Sequence, residues 1–475
     1  MAFRADYRVV DPLGSPGPYG RGENPIVLHL GGSVSATSVA GHGARTAEEI
    51  VRAHRERLFP WVKPYYGKPL VLSEGDGVWV RDVGGTEYLD FFAGILTTSI
   101  GHCHPAVTAR VYEQMGRLGH TSTLYVTEPQ IEVAERLVEL APVGLSRAAF
   151  TNSGTEAIET AIVAACVYTG HSEVVALRHA YSGRSILATN ITAHAGWRPL
   201  ESLVPGIKHA RAPYAYRSPL GPDAPEEEQT EFFIQDLVEV IETTTTGRPA
   251  ALIAEAIQGV GGFIVPTRGY LARAAEVVRS YGGLFVCDEV QSGFGRTGRH
   301  WFGCQHDGVT PDIMVMAKGI ANGFPVGATL ARADVADAWT SLSISTYGGN
   351  PVSMAAAAAT LEVMVREDVP QRSEVRGLQV REALEELHGT YDWIGDVRGR
   401  GLMQAMEIVR DRTDRKPDPT RTRALLEAAR AEGLLLGSGG LHGHVIRIGP
   451  SMLISEAETA EALARLKRAC AAADR

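Results

Sequence analysis

Apolar positions along the chain fall into two alternating patterns. Short runs rich in β-branched residues occur at 173–177, 251–257, 284–290, 313–317 and 326–331, the texture of strands buried on both faces. Between several of them, apolar residues recur with the helical period, notably over 128–140, 154–168 and 269–281. Strand, helix, strand at this spacing predicts right-handed crossovers and a mostly parallel central sheet. In such an α/β arrangement the active site lies at the carboxyl ends of the strands.

From Asn350 onward the texture changes. An Ala-rich helix is expected over 351–366 and another over 374–388, followed by strands near 397–409 and 444–449 and a last helix over 455–473. These predict a smaller α+β domain at 351–475 beside a large domain at 91–350, in which 196–230 is an insertion containing Pro and charge. Residues 45–90 are read as the N-terminal part of the small domain. A helix is expected to start near Thr46, which forms a capping-box pair with Glu49. Residues 1–44, crowded with Gly, Pro and Ser from 11 onward, read as a flexible arm.

Composition narrows the function classes. The 475 residues carry a net charge of −9 with no Lys and Arg stripe, which argues against a nucleic-acid partner. No run of eighteen apolar residues predicts a membrane span, and the first residues lack the apolar core of a secretory signal. A cytoplasmic location is expected. The five cysteines are scattered and odd in number, which suits reduced thiols. His102, Cys103 and His104 are adjacent, but no second ligand cluster follows at zinc spacing, so the turn is read as structural and no metal is expected.

The segment 285–298, FVCDEVQSGFGRTG, carries three spaced glycines like a dinucleotide fingerprint. It is followed by turn formers and aromatics instead of a helix, so that reading fails. What remains is Asp288 at the end of an apolar strand. A carboxylate there can hold a pyridine nitrogen protonated, the condition under which a pyridoxal ring accepts electrons. The next apolar run, IMVMAKG, ends in Lys318. A lysine desolvated at a sheet exit loses its proton more easily, and the neutral amine can attack an aldehyde. Each residue alone is unremarkable; thirty positions apart on strands that can be neighbours, they outweigh the plain readings. At 150–158, FTNSGTEAI is a strand exit opening on a helix, whose N-terminus can bind phosphate through Ser153, Gly154 and Thr155. Tyr181, after the run at 173–177, can stack on a flat ring.

With those residues in view, the chain resembles the class-III aminotransferases, of the fold-type-I pyridoxal 5'-phosphate enzymes. The resemblance covers roughly residues 60–475 and rests on eight strings in the family's order: DFFAGILTTSIGHCHP, TNSGTEA, HAYSGR, AEAIQGVGGF, CDEVQSGFGRTG, MAKGIANGFP, STYGGNP and RGRGLM. It implies that Lys318 is the Schiff-base lysine and proton shuttle, and that Asp288 pairs with the pyridine nitrogen. It implies that Gln291 bonds the ring hydroxyl, that Ser153, Gly154 and Thr155 hold the phosphate, that Tyr181 stacks on the ring and that Glu255 contacts the cofactor. It places Thr346 on the phosphate of a neighbouring subunit, which implies a homodimer with shared sites, or dimers paired into a tetramer. Arg447 matches the arginine that grips a substrate α-carboxylate, and Arg184 a second carboxylate-binding arginine.

Four positions depart from relatives. Ser182 stands where many members have His. Val260 stands where ornithine- and GABA-type members have a Glu that pairs with the Arg447 equivalent. Ile95 replaces the Tyr of ornithine-type members, and Ala256 a common Pro. The implied function is transfer of an amino group from alanine or an ω-amino donor (GABA, β-alanine) to a 2-oxo acid (pyruvate, glyoxylate or 2-oxoglutarate) in two half-reactions. A decarboxylase or aminomutase on the same fold is the alternative. A non-catalytic pyridoxal-phosphate-binding protein is disfavoured, because no basic segment accompanies the fold.

Overall fold

A computed structural model describes residues 45–474, so the expected arm at 1–44 lies outside the described residues. All five apolar runs form strands of one seven-stranded sheet. In spatial order the strands are Leu145–Thr151, Gly327–Arg332, Ile313–Met316, Leu284–Asp288, Ala251–Glu255, Val174–Leu177 and Ile207–Ala210. The four parallel strands drawn from the apolar runs are buried at every residue, which is why the sequence shows them as unbroken apolar stretches.

One strand reverses. Gly327–Arg332 pairs antiparallel with both of its neighbours. Only the one-turn helix Lys318–Ala321 and a short loop separate it from Ile313–Met316, too little chain for a parallel crossover. The two edge strands are Leu145–Thr151 and Ile207–Ala210. The second falls inside 196–230, so that stretch is more than an insertion: it completes the sheet.

The helices Glu128–Leu140, Gly154–Thr169 and Tyr270–Ser280 match the expected amphipathic segments closely. Gly154–Thr169 is capped by Ser153, whose hydroxyl accepts from the Glu156 N–H, and it stops at Gly170 in the left-handed conformation. Later come Pro351–Arg366, Val369–Thr390 and Glu456–Ala473. A four-stranded antiparallel sheet contains Ile394–Arg400, Met403–Ile408, Val445–Ile448 and Gly437–Gly439. A second small sheet joins Leu72–Asp76, Trp79–Asp82 and Glu87–Asp90 to Leu434–Leu435; residues before 91 thus share a sheet with residues after 430. The His102–His104 turn is accounted for structurally: His102 Nε2 lies 2.9 Å from Asp90, and His104 caps the helix Pro105–Arg117.

Candidate active site

The parallel strands deliver their last residues to one place. Their register sets Glu255 beside Asp288, and Asp288 beside Val315. Two residues past Met316 the chain turns at Lys318, which adopts a positive φ of 48°. That conformation crowds Cβ against the backbone and is uncommon for residues other than glycine. Lys318, Asp288, Glu255 and Gln291 line a cavity of about 270 Å3, which Ser153, Gly154, Thr155 and Tyr181 also line.

Burial controls the protonation of the three ionisable groups. Desolvation lowers the Lys318 pKa, and the negative charges of Asp288 and Glu255 oppose the shift. Burial lifts Asp288 to about 6 against the Val290 N–H bond and the Lys318 charge. Glu255 rises to about 8, through burial first and then the Asp288 charge. Glu255 is not left loose: it accepts from the Tyr181 N–H at 3.1 Å and the Gly259 N–H at 2.7 Å. Sequence reasoning named Glu255 for cofactor contact, but the structure gives it a second task, tying the Tyr181 loop to the Gly259 loop.

Opposite these groups is the N-terminus of Gly154–Thr169. Gly183, with φ +128°, lies so close that a Cβ there would sit 2.2 Å from Thr155 Oγ1. The Thr155 hydroxyl accepts from the Arg184 N–H at 3.3 Å. The Tyr181 ring packs edge-on to Trp197, with centroids 5.5 Å apart and planes at 73°. Gln291 is buried, its Oε1 without a partner among the described residues.

The expected substrate residues separate. Arg447 is 4 % exposed, donates from Nε to the Ser438 carbonyl (2.9 Å) and from Nη1 to the Gly259 carbonyl (3.2 Å), and stacks over Phe92. Among the described residues no carboxylate pairs with it. The buried Val260 is one residue past the Gly259 carbonyl that Arg447 holds. Arg184 is exposed, its guanidinium over the Trp61 ring at 4.1 Å. Ile95 does not line the Lys318 cavity; it is 44 % exposed in a run with positive φ from Ala93 to Leu96. Thr346 lies in a second, larger cavity of about 950 Å3 that shares Asn152 and Thr155 with the first. Sequence reasoning missed Asn152 and Gly183 as lining residues, although both lie within the strings TNSGTEA and HAYSGR; Ser182, singled out as a departure from a common His, lines the cavity as well.

Residues 62–470 match the family model for class-III aminotransferases. The chain belongs to that family. Among curated relatives, an Arabidopsis thaliana mitochondrial alanine–glyoxylate aminotransferase 2 homolog is 39% identical over 412 residues, covering 86% of this chain and 85% of the relative. An acetylornithine aminotransferase from Methanopyrus kandleri is 38% identical, covering 84% and 93%. Among solved structures, a thermostable (S)-enantioselective omega-transaminase from Thermomicrobium roseum superposes with a TM-score of 0.83 at 34% identity, covering 91% of this chain and all of that one.

The aminotransferase is therefore a pyridoxal-phosphate enzyme, acting on small-molecule amino donors and 2-oxo acids. Its cavity suits that cofactor: a helix N-terminus for an anion, a buried carboxylate, a desolvated amine and the unpartnered Gln291 oxygen. Among the described residues, the one grouping of metal-ligand types is Cys287, Glu289 and Cys304, all buried. Glu289 there already accepts from Ser292, Gly303 and Cys304, and among the described residues no helix is long and apolar enough to cross a membrane.

Proposed function

We propose that this aminotransferase carries an amino group from alanine or an ω-amino acid such as GABA or β-alanine to pyruvate, glyoxylate or 2-oxoglutarate. The observation that carries the reading is the meeting of Lys318 and Asp288 in one buried cavity at the strand ends. When bound, pyridoxal phosphate supplies an aldehyde and an electron-accepting ring. Lys318, its amine desolvated, would hold the cofactor through that aldehyde and, once the donor amine has displaced it, would be the base that carries the proton. Asp288, whose carboxylate is favoured by the Val290 N–H and the Lys318 charge, would keep a proton on the ring nitrogen. Gln291 would bond the ring hydroxyl, Ser153, Gly154 and Thr155 would hold the phosphate and Tyr181 would cover the ring, while Glu255 orders the loops on either side.

For the acceptor, Arg447 offers a guanidinium that no carboxylate among the described residues neutralises, and Val260 puts no competing charge beside it; both favour a short 2-oxo acid. Ile95 in place of an aromatic disfavours ornithine. Arg184, freed from Trp61, would serve a second carboxylate, as in 2-oxoglutarate.

A homodimer completes the site in this reading. Thr346 is exposed beside a cavity that shares Asn152 and Thr155 with the phosphate end, where a neighbouring chain's phosphate would lie. Leu124, Tyr125, Val126, Leu342, Ile344 and Tyr347 are all more than half exposed, a density of apolar side chains that suits a covered face. A cytoplasmic location accords with five free cysteines. The test is a donor and acceptor panel read by the cofactor's visible absorption. Alanine, GABA or β-alanine should bleach it and pyruvate or glyoxylate restore it. Bleaching by ornithine alone would overturn the assignment.

A further inference from the structure

The Gly259–Phe263 loop faces the cofactor cavity on one side and a buried polar cluster on the other. It is intrinsically soft: Gly259, Gly261 and Gly262 are three of its five residues, and Gly262 and Phe263 have positive φ. It nevertheless sets three active-site groups. The Gly259 N–H binds Glu255, the Gly259 carbonyl receives Arg447 Nη1, and a Cβ on Gly259 would lie 2.0 Å from Gln291 Nε2.

What stiffens the loop is Arg398. Its Nε and Nη2 both donate to the Gly262 carbonyl, at 3.0 and 2.7 Å, while Nη1 donates to Asp396 at 2.6 Å and Glu407 at 2.7 Å. Glu407 has no exposed side-chain surface and is held in turn by Tyr214, Arg217 and His444. Burial would raise its pKa, but Arg398, His444 and Arg217 hold it well below the ordinary range. The cluster is anionic at the one point where Arg398 needs an anchor, so the guanidinium plane cannot rotate away from Gly262.

We propose that Arg398, anchored by Glu407, is a positioning residue that fixes the Gly259–Gly262 loop and thereby aims Arg447 at the substrate carboxylate. The inference rests on Arg447 being the carboxylate grip. Lysine cannot replace Arg398, because one ammonium cannot bind the Gly262 carbonyl twice and still reach both carboxylates in a fixed plane.

The test compares two acceptors that differ by the carboxylate, pyruvate and acetaldehyde, in the cofactor-loaded enzyme. The readout is the ratio of their kcat/KM values in one preparation, which is independent of the fraction that folds. Arg398→Lys should lower the pyruvate-to-acetaldehyde ratio about tenfold, the size expected when a contact group is displaced by less than 1 Å, with the loss in the KM for pyruvate. Arg217→Gln, which removes one donor from Glu407, should lower the ratio less and in the same direction. Arg447→Met should abolish the preference. If Arg447→Met does so but Arg398→Lys leaves the ratio unchanged, Arg398 is merely structural and the proposal fails. If Arg447→Met itself leaves the ratio unchanged, the carboxylate assignment fails and the proposal falls with it.

Discussion

Glu255→Gln separates the electrostatic cost of the buried carboxyl from its hydrogen bonds. In the folded protein burial and the Asp288 charge lift Glu255 from its ordinary 4.5 to about 8. A carboxyl whose folded pKa is raised lends its full stability below the unfolded value and loses it as pH climbs through the folded one. Between about 4.5 and about 8 the unfolded chain releases this proton and the folded chain keeps it, so stability falls by about 1.4 kcal/mol per pH unit, a few kcal/mol in all. Asp288 adds a similar loss between its ordinary 3.8 and about 6, the two titrating as a pair. Gln has no proton to release and removes the Glu255 part of the slope. It also turns an amide toward one of the two N–H groups, Tyr181 or Gly259, that the carboxyl satisfies. That costs about 1–3 kcal/mol at every pH. The assay is the apparent melting temperature of cofactor-free protein, wild type and variant, between about pH 5 and pH 8. The variant should melt lower at pH 5, and the gap should close or reverse by pH 8. Parallel curves would refute the assignment of a raised pKa to Glu255.

Two further outcomes follow from distances at the site. Gly183→Ala places a methyl 2.2 Å from Thr155 Oγ1 at a φ of +128°, so Thr155 must move. Cofactor titration into the stripped protein should show affinity down at least about tenfold, one charge-assisted hydrogen bond, and unchanged affinity would remove Thr155 from the phosphate cup. Val260→Glu installs a carboxylate next to the carbonyl that Arg447 holds. The KM for pyruvate should rise about tenfold with kcat little changed, the price of separating a new ion pair before substrate binds; an unaltered KM would show that the side chain at 260 does not reach Arg447.

Much of the sheet was legible because its central strands are buried on both faces. Val174–Leu177, Ala251–Glu255, Leu284–Asp288 and Ile313–Met316 contain no exposed residue, and continuous burial writes continuous apolar sequence. The edge strands do not. Leu145–Thr151 reads LSRAAFT with exposed Ser146 and Arg147, and Ile207–Ala210 reads IKHA with three of its four residues only partly buried. Neither pattern is separable from a loop by periodicity alone. Lys318, Asp288 and the Ser153–Thr155 turn were legible because each lies at a strand exit, where the fold class itself says chemistry belongs. The fork of Arg398 on the Gly262 carbonyl spans 136 positions, and the packing of Arg184 on Trp61 is likewise tertiary. No local pattern encodes such contacts.

The proposed role of Lys318 is to hold the cofactor and to move the proton. Its most direct test is the visible absorption of purified Lys318→Ala, reconstituted with pyridoxal phosphate and followed after adding alanine alone and then pyruvate. Wild type should bleach with alanine and recover with pyruvate, while the variant should lose the lysine-bound band and complete neither half at a measurable rate. A variant that bleaches and recovers like wild type would contradict the account.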